Sequence, residues 1–519
     1  MENNGGARAR DADRMKTRAQ RQGRRRRAAV VVLLLVLMVL LPMVAAIAVL
    51  EHFQVAPREL SRYIVQRSAG HNPLISGAGG WIGRVLLTLD RGPVVDPDAG
   101  VAKGLPMPAI VARSLPVADG GATSIPTTQI SVSSPAEIIA AINTARPGQQ
   151  IVIAPGTYRF NGNNIPVRRP GSVSAPITVR AATAGTVRFE VDTVDGFRVS
   201  APHWIFENLV IRGVCASHDR CEHAFHVVGA ATDFIARNNT VVDFNAHFKI
   251  NAEDGASPDA GRIENNRLFN TGIRQTANPV APIDLVGASH WSIRGNTIAD
   301  FVKGQGNRIS YGGFFKGGGS DNVFERNIVV CEQQIRGATG QTVGFSLGGG
   351  GTEAPYCRDG RCVTEQARGL VGSNLIQSCS DDGIDVNRSS ESRIVHNTLI
   401  DTAGISVRAA ESSAVVEGNL VDGAIKIRDT GSVRAVDNLT TGIAHLYFGQ
   451  HPIRGFFVNA VGMDYRWTKT VPAGLALNAV PPDLCAEVQP RRPVFGAFAD
   501  FSACVTGVGR MEQATQTGQ

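Results

Sequence analysis

One residue recurs along this chain in a way that limits what it can fold into. An asparagine followed by apolar side chains appears at Asn208, Asn239, Asn266, Asn296, Asn327, Asn374, Asn397, Asn419 and Asn438. The intervals are 31, 27, 30, 31, 47, 23, 22 and 19 residues. Between these asparagines lie short runs of branched apolar residues bounded by Ser, Asn, Asp or Gly, the pattern of strands and turns. In the stretch from Gly383 to Ala403, for example, three runs follow each other: Ile384–Asn387, Arg393–Val395 and Thr398–Ile400. Three such strands cannot bury a face alone, so the unit must stack on copies of itself. A bare coil is about twenty residues, and the longer central intervals hold insertions. Asparagine suits the turn because it tolerates left-handed backbone and its amide can bond both the local chain and a stacked asparagine. The expected fold is all-β, a parallel β-helix solenoid in which each coil touches only its neighbours. The 57 glycines fit so many turns.

The charge is unevenly spread. Residues 1–27 carry ten Lys and Arg against three acids, so 10 − 3 = +7 accounts for the whole net charge of +7. The remainder balances, which leaves no basic footprint for nucleic acid. Residues 28–50 hold no charge and are long enough to cross a bilayer. The basic block in front places the N-terminus in the cytoplasm and the rest outside, in the periplasm or beyond. The competing reading is a cleaved leader with Ala46-Ile47-Ala48 as its processing site. The expected organisation is a basic tail (1–27), a transmembrane anchor (28–50), a helix and linker (51–127), the β-helix (128–445) and a closing segment (446–519). Pro57 to Gln66 reads as a short helix with proline at its start, Trp81 to Leu89 as another apolar piece, and 91–127 as linker. Ser134-Pro135-Ala136-Glu137 opens an amphipathic helix to Ala145 that would cover the open end of the solenoid.

All eight cysteines follow the apolar run, an even number that suits disulfides in an oxidising compartment. Cys215/Cys221 and Cys357/Cys362 are near in sequence, Cys485/Cys504 share the tail, and Cys331/Cys379 follow the asparagines of successive repeats. The pairing stays open at this level. Zinc is the alternative, but no C-x-x-C occurs.

The segment "ARPGQQIVIAPGTY" after the capping helix, followed by the asparagine coils, resembles the right-handed parallel β-helix, pectin-lyase-like superfamily. The tail segments "FFVNAVGMDYRWTKTVPAGLAL" and "VFGAFADF" are similar to its closing region. The opening is most similar to that of the chondroitinase B and alginate lyase branch. That resemblance implies action on acidic polysaccharide by a lyase or epimerase, with calcium as helper. The superfamily also holds proteins without catalysis, so a glycan-binding or envelope scaffold is the alternative.

Aligning the first strand of each coil gives FHVV, FKIN, IDLV, FKGG, FSLG, IDVN, ISVR and IKIR. Alternate positions point inward, so the outward second column reads His226, Lys249, Asp284, Lys316, Ser346, Asp385, Ser406 and Lys426. The fourth column adds Asn251, Asn387, Arg408 and Arg428. Lys249, Asp284 and Lys316 are expected to be direct neighbours. Insertions cluster beside these central coils, and long loops beside a polar strand face make a groove. Elimination at a uronate needs a cation for the carboxylate and a base for the C5 proton. Lys249 and Lys316 suit the cation role, and His226 the base role, ahead of His223 and His247. Asp284, Asn251, Asp385 and Asn387 are candidates for substrate contact, and Asn251, Glu253 and Asp254 for calcium. The bland reading of the Lys–Asp–Lys row is a surface charge ladder. A glycosidase is disfavoured, since Asp284 and Asp385 are three coils, about 14 Å, apart.

Overall fold

The computed structural model describes residues 51–92, 128–337, 340–470, 472–475 and 482–501, with part of 33–50 and residues 109–110 and 505–506. The chain forms two compact units, Met1–Val55 and Ala56–Gln519. The expected linker lies almost wholly outside the described residues. Much of the expected span at 28–50 does too, and among the described residues no single helix is long and apolar enough to cross a membrane.

In the second unit the strands from Thr128 to Thr440 wind into a solenoid with three long parallel sheets of ten, eleven and twelve strands. Each strand pairs with its counterpart in the next coil. Thus Ile384–Asn387 is flanked in register by Phe345–Gly348 and Gly404–Arg408. The interior is filled by alternate side chains, which is why the strands read as alternating apolar residues. Phe197, Phe225 and Phe248 come from successive coils and stack with ring centroids 5.2 and 5.0 Å apart.

The asparagine repeat forms a buried ladder. Asn296 donates from its backbone N–H and its Nδ2 to Oδ1 of Asn327, at 2.9 and 3.0 Å. Asn327 repeats this toward Asn374, and Asn374 toward Asn397. Every amide also donates to a backbone carbonyl, as Asn327 does to Ile293 at 3.0 Å. The stacking is as expected, but the left-handed residue is the one before the ladder asparagine. Asn238, Asn265, Gly295, Arg326, Ser373, His396, Gly418 and Asp437 all have positive φ. That residue turns the corner so that the asparagine can point inward; Asn208, at the head of the series, takes the left-handed position itself at φ 65°.

Three helices frame the solenoid. Helix α1 (Pro57–Ser68) begins at the expected proline and runs two residues longer than expected. Helix α2 (Pro73–Arg91) takes in the apolar piece around Trp81, with Asn72 capping it through a bond from Ile75 N–H. Helix α3 (Pro135–Thr144) covers the open end, its Ser134 hydroxyl accepting from Glu137 N–H at 3.2 Å. The α1–α2 hairpin is fastened to the solenoid by buried charges. Arg58 bridges Asp90 at 2.5 Å and Asp401 at 3.2 Å, with all three side chains nearly inaccessible. Arg91 reaches Asp401 and Glu332, and Arg336 also meets Asp401. Glu59 receives Lys426 and Arg428. Lys426, expected in an exposed column, is therefore buried beneath α1, where Asp382 also holds it at 2.6 Å.

Candidate functional site

The outward face of the ten-stranded sheet carries the candidate residues. His226 lies beside Lys249 in the next coil, and Lys249 beside Asp284. Lys249 Nζ donates to Asp284 Oδ1 at 2.9 Å. The expected third member of this row is corrected: Phe314, not Lys316, pairs with Asp284, and Lys316 pairs with Val286. The cause is packing. The strand opens two residues earlier than expected, with Gly313 opposite Ile283, so Phe315 fills the third, inward position against Phe345, ring centroids 4.9 Å apart, and Lys316 falls one outward position along. There its ammonium sits 4.4 Å from the centre of the Phe314 ring. Tyr311 stands edge-on to the same ring, and Phe314 is buried. This apolar ridge separates the coils of Lys249 and Asp284 from those of Ser346 and Asp385.

On the open side of the ridge, sequence reasoning missed two residues. The strand Asp195–Val199 pairs with His223–Val228 so that Arg198 stands beside His226. Arg198, His226 and Lys249 therefore occupy one column in three successive coils. Asp195 accepts at Oδ1 from His223 Nδ1 at 2.7 Å and at Oδ2 from His226 Nδ1 at 3.0 Å. Burial alone would raise this carboxyl, but the bonds from the two histidines outweigh it and hold Asp195 well below the usual carboxylate range. The other ring nitrogen of His226, Nε2, is 2.8 Å from Asn251 Oδ1. The Asn251 amide is oriented by its own Nδ2, which donates to Ala252 O. Glu253, from the insertion after Asn251, is paired with Arg198. The signal for Arg198 was present, since Phe197-Arg198-Val199 has the same apolar-charged-apolar form as Phe248-Lys249-Ile250.

The remaining candidates are placed as follows. Asp385 is 3 % exposed at its side chain and held by Arg408 Nε and Nη2 at 3.0 and 2.8 Å. Asn387 is buried beside Gly350. Both lie beyond the ridge. His247 is fully buried, and burial lowers its imidazole to about 4. The insertion 349–368 folds back along the sheet edge, where Arg358 grips Asp259 at 2.7 and 2.8 Å and donates to Gly287 O.

Calcium does not fit at Asn251, Glu253 and Asp254. The first oxygen faces His226, the second is taken by Arg198, and Asp254 is exposed at a left-handed turn. Among the described residues, two other groups bring candidate ligand atoms within 4.8 Å of one another: Asp195/His223/His226 and Glu59/Asp381/Asp382. The first offers two imidazoles, which calcium does not favour. In the second, Lys426 Nζ already sits 2.6 Å from Asp382 and 3.0 Å from Glu59.

Three disulfides join Cys215–Cys221, Cys331–Cys379 and Cys357–Cys362. Cys331 and Cys379 meet because their coils stack. Cys485 is disulfide-bonded as well, and Cys504 lies outside the described residues.

Residues 132–290 match the chondroitinase B family, and residues 283–440 match the right-handed β-helix region. The chain is 28 % identical over 168 residues to pectate lyase L of Dickeya chrysanthemi, covering 27 % of this chain and 40 % of that protein. It is 29 % identical over 141 residues to pectate lyase L of Dickeya dadantii (strain 3937), covering 22 % and 33 %. The chain thus spans two fifths or less of the length of these curated relatives. Among solved structures it is similar to pectate lyase Pel9A, with a TM-score of 0.47 and 16 % identity over 72 % of this chain and 97 % of that one. An alginate lyase from Paenibacillus sp. str. FPU-7 gives a TM-score of 0.37 and 15 % identity over 60 % and 99 %.

Proposed function

Because the chain is a right-handed parallel β-helix of the pectin-lyase-like kind, we propose that its Arg198–His226–Lys249 column binds an acidic polysaccharide and cleaves it by β-elimination. The relatives named pectate lyase support the reaction class. The observation that carries the reading is the register, which sets a histidine oriented by a carboxylate between two cations. Adjacent rungs are about 4.8 Å apart, roughly the span of one sugar ring.

In this reading Lys249 or Arg198 neutralises the uronate carboxylate and so acidifies the C5 proton. Asp195 holds His226 by Nδ1; Nε2, which donates to Asn251 Oδ1 in the free protein, gives that proton to solvent when a sugar replaces the Asn251 amide, and so meets the sugar as a base. Nε2 takes the C5 proton and the electron pair forms the C4–C5 double bond. The C4–O4 bond breaks as that double bond forms, its pair leaving with O4, and the leaving oxygen takes its proton from water. The same base with reprotonation from the opposite face would give an epimerase. Lys316 contributes a cation at the ridge, and Asp284 holds Lys249 in place.

The test is ultraviolet absorbance of unsaturated uronate on alginate, pectate and glycosaminoglycans. His226→Ala and Lys249→Ala should each lower the rate at least a hundredfold, while exposed Arg434→Ala on another sheet leaves it unchanged. Equal rates in all three would sink the assignment. A second reading, a glycan-binding face without chemistry, is favoured by the fact that both His226 nitrogens are hydrogen-bonded. It predicts retention on acidic glycan, lost in Lys249→Ala, with a flat absorbance trace across the panel and no C5 proton exchange by NMR.

A further inference from the structure

We propose that the α1–α2 hairpin lies with the outer face of α2 on a lipid bilayer surface carrying anionic headgroups. This goes beyond the groove chemistry and does not depend on it. The first observation is that α2 is built inside out for a helix in water. Its glycines face the partner helix: a Cβ on Gly83 would stand 2.6 Å from Val65 Cγ2 and 3.1 Å from Ser61 Oγ, and one on Gly79 would collide with Ser68. That close crossing leaves the large apolar side chains on the far side. Leu74 is 84 % exposed, Trp81 62 %, Ile75 47 %, Val85 40 % and Ile82 39 %. An exposed run of this kind marks an interaction surface rather than ordinary scatter.

The second observation is charge. From Leu60 to Leu89 the chain has no Asp or Glu and three arginines, Arg62, Arg67 and Arg84. Arg62 is committed to Asp381, which leaves Arg67 and Arg84 exposed among the apolar residues. An apolar face fringed by cations complements anionic headgroups. A second copy of the same face would set arginine against arginine. Among the described residues the hydrogen-bonded ties to the solenoid come from one end of the hairpin, through Arg58, Glu59, Arg62, Leu89, Asp90 and Arg91, and none comes from the stretch Leu74 to Val85. In sequence, the hairpin begins seven residues after the uncharged run 28–50. Helix α2 does not qualify as a span, so its place is the interface, with Trp81 at headgroup depth.

The experiment uses the full chain with vesicles of phosphatidylcholine and phosphatidylserine, with and without brominated acyl chains, which quench tryptophan on contact. Trp204 and Trp291 are fully buried and silent to this quencher, and the half-buried Trp467 of the closing segment is replaced by Phe in every protein compared. The expected result is quenching that disappears in Trp81→Phe and weakens severalfold in Arg67→Glu/Arg84→Glu, with unchanged thermal melting. If the full chain floats with the vesicles but its emission is the same on brominated and plain lipid, the proposal is overturned. It is equally overturned if Trp81 is buried by self-association in lipid-free buffer and quenching is absent. Neither result touches the elimination assay.

Discussion

The stacked asparagines are where single side chains carry the most structural weight. Removing the Asn327 side chain leaves the Asn296 backbone N–H and an Asn296 amide hydrogen without their acceptor in a dry interior, and takes one bond from the Ile293 carbonyl. Each orphaned group costs about 1–3 kcal/mol. Asn327→Ala should therefore lower the unfolding free energy by roughly 3–5 kcal/mol in urea titration. Asn438→Ala, at the half-exposed end of the ladder, should cost about 1 kcal/mol because water can replace its bonds. The ladder was legible from one residue type at regular intervals. The left-handed corner before it was not, because Asn, Gly, Arg, Ser, His and Asp all occupy that position and leave no compositional trace. The same limit hid the pairing of Lys316. Phe315 points inward whether it stands opposite Ile283 or Leu285, and only the stacked coils show that the strand opens at Gly313.

Among the elements, the hairpin shows what periodicity cannot reveal. Its start at Pro57 could be read locally, but Arg58 and Asp401 are 343 residues apart and no repeat connects them. Glu59 is the group through which this docking answers to pH. Burial works against its charge, but Lys426 and Arg428 prevail and hold it at about 2, below its ordinary value of 4.5. A depressed carboxyl contributes stability above its unfolded value and loses it as pH falls through the folded one. The stability gap between the native protein and Glu59→Gln should thus be full above about pH 4.5 and close toward pH 2. Its size should be about 3 kcal/mol. Hydrogen exchange of the 57–91 amides would report it; a gap that widens in acid would contradict the assignment of Glu59 as the docking carboxylate.

For the whole molecule, the solenoid and its cap followed from repeats, and the candidate face was chosen from where insertions interrupt them. The extent of the open groove did not. The alignment of first strands began at Phe225 and so left out the coil of Asp195 and Arg198, although that strand has the same alternation. It also treated all outward positions as equally open, whereas Tyr311, Phe314 and the hairpin cover those toward the C-terminal end. Coverage comes from residues distant in sequence, so it becomes visible only once the coils are stacked. The disulfide between Cys331 and Cys379 belongs to the same class. It was legible as two disulfide cysteines brought close by stacked coils, with the pairing left open. The ladder has one further consequence, for how the protein ages. Asparagine deamidates when its side chain can swing onto the following backbone nitrogen, most readily when glycine follows. The ladder amides from Asn239 to Asn419 are locked on both atoms and followed by Thr, Arg, Ile or Leu. Asn161, exposed and followed by Gly162 at φ 88°, has neither restraint. Peptide mass spectrometry after long storage at mildly alkaline pH should find isoaspartate at Asn161 while these ladder asparagines remain intact, so that chemical wear begins at a turn and spares the spine.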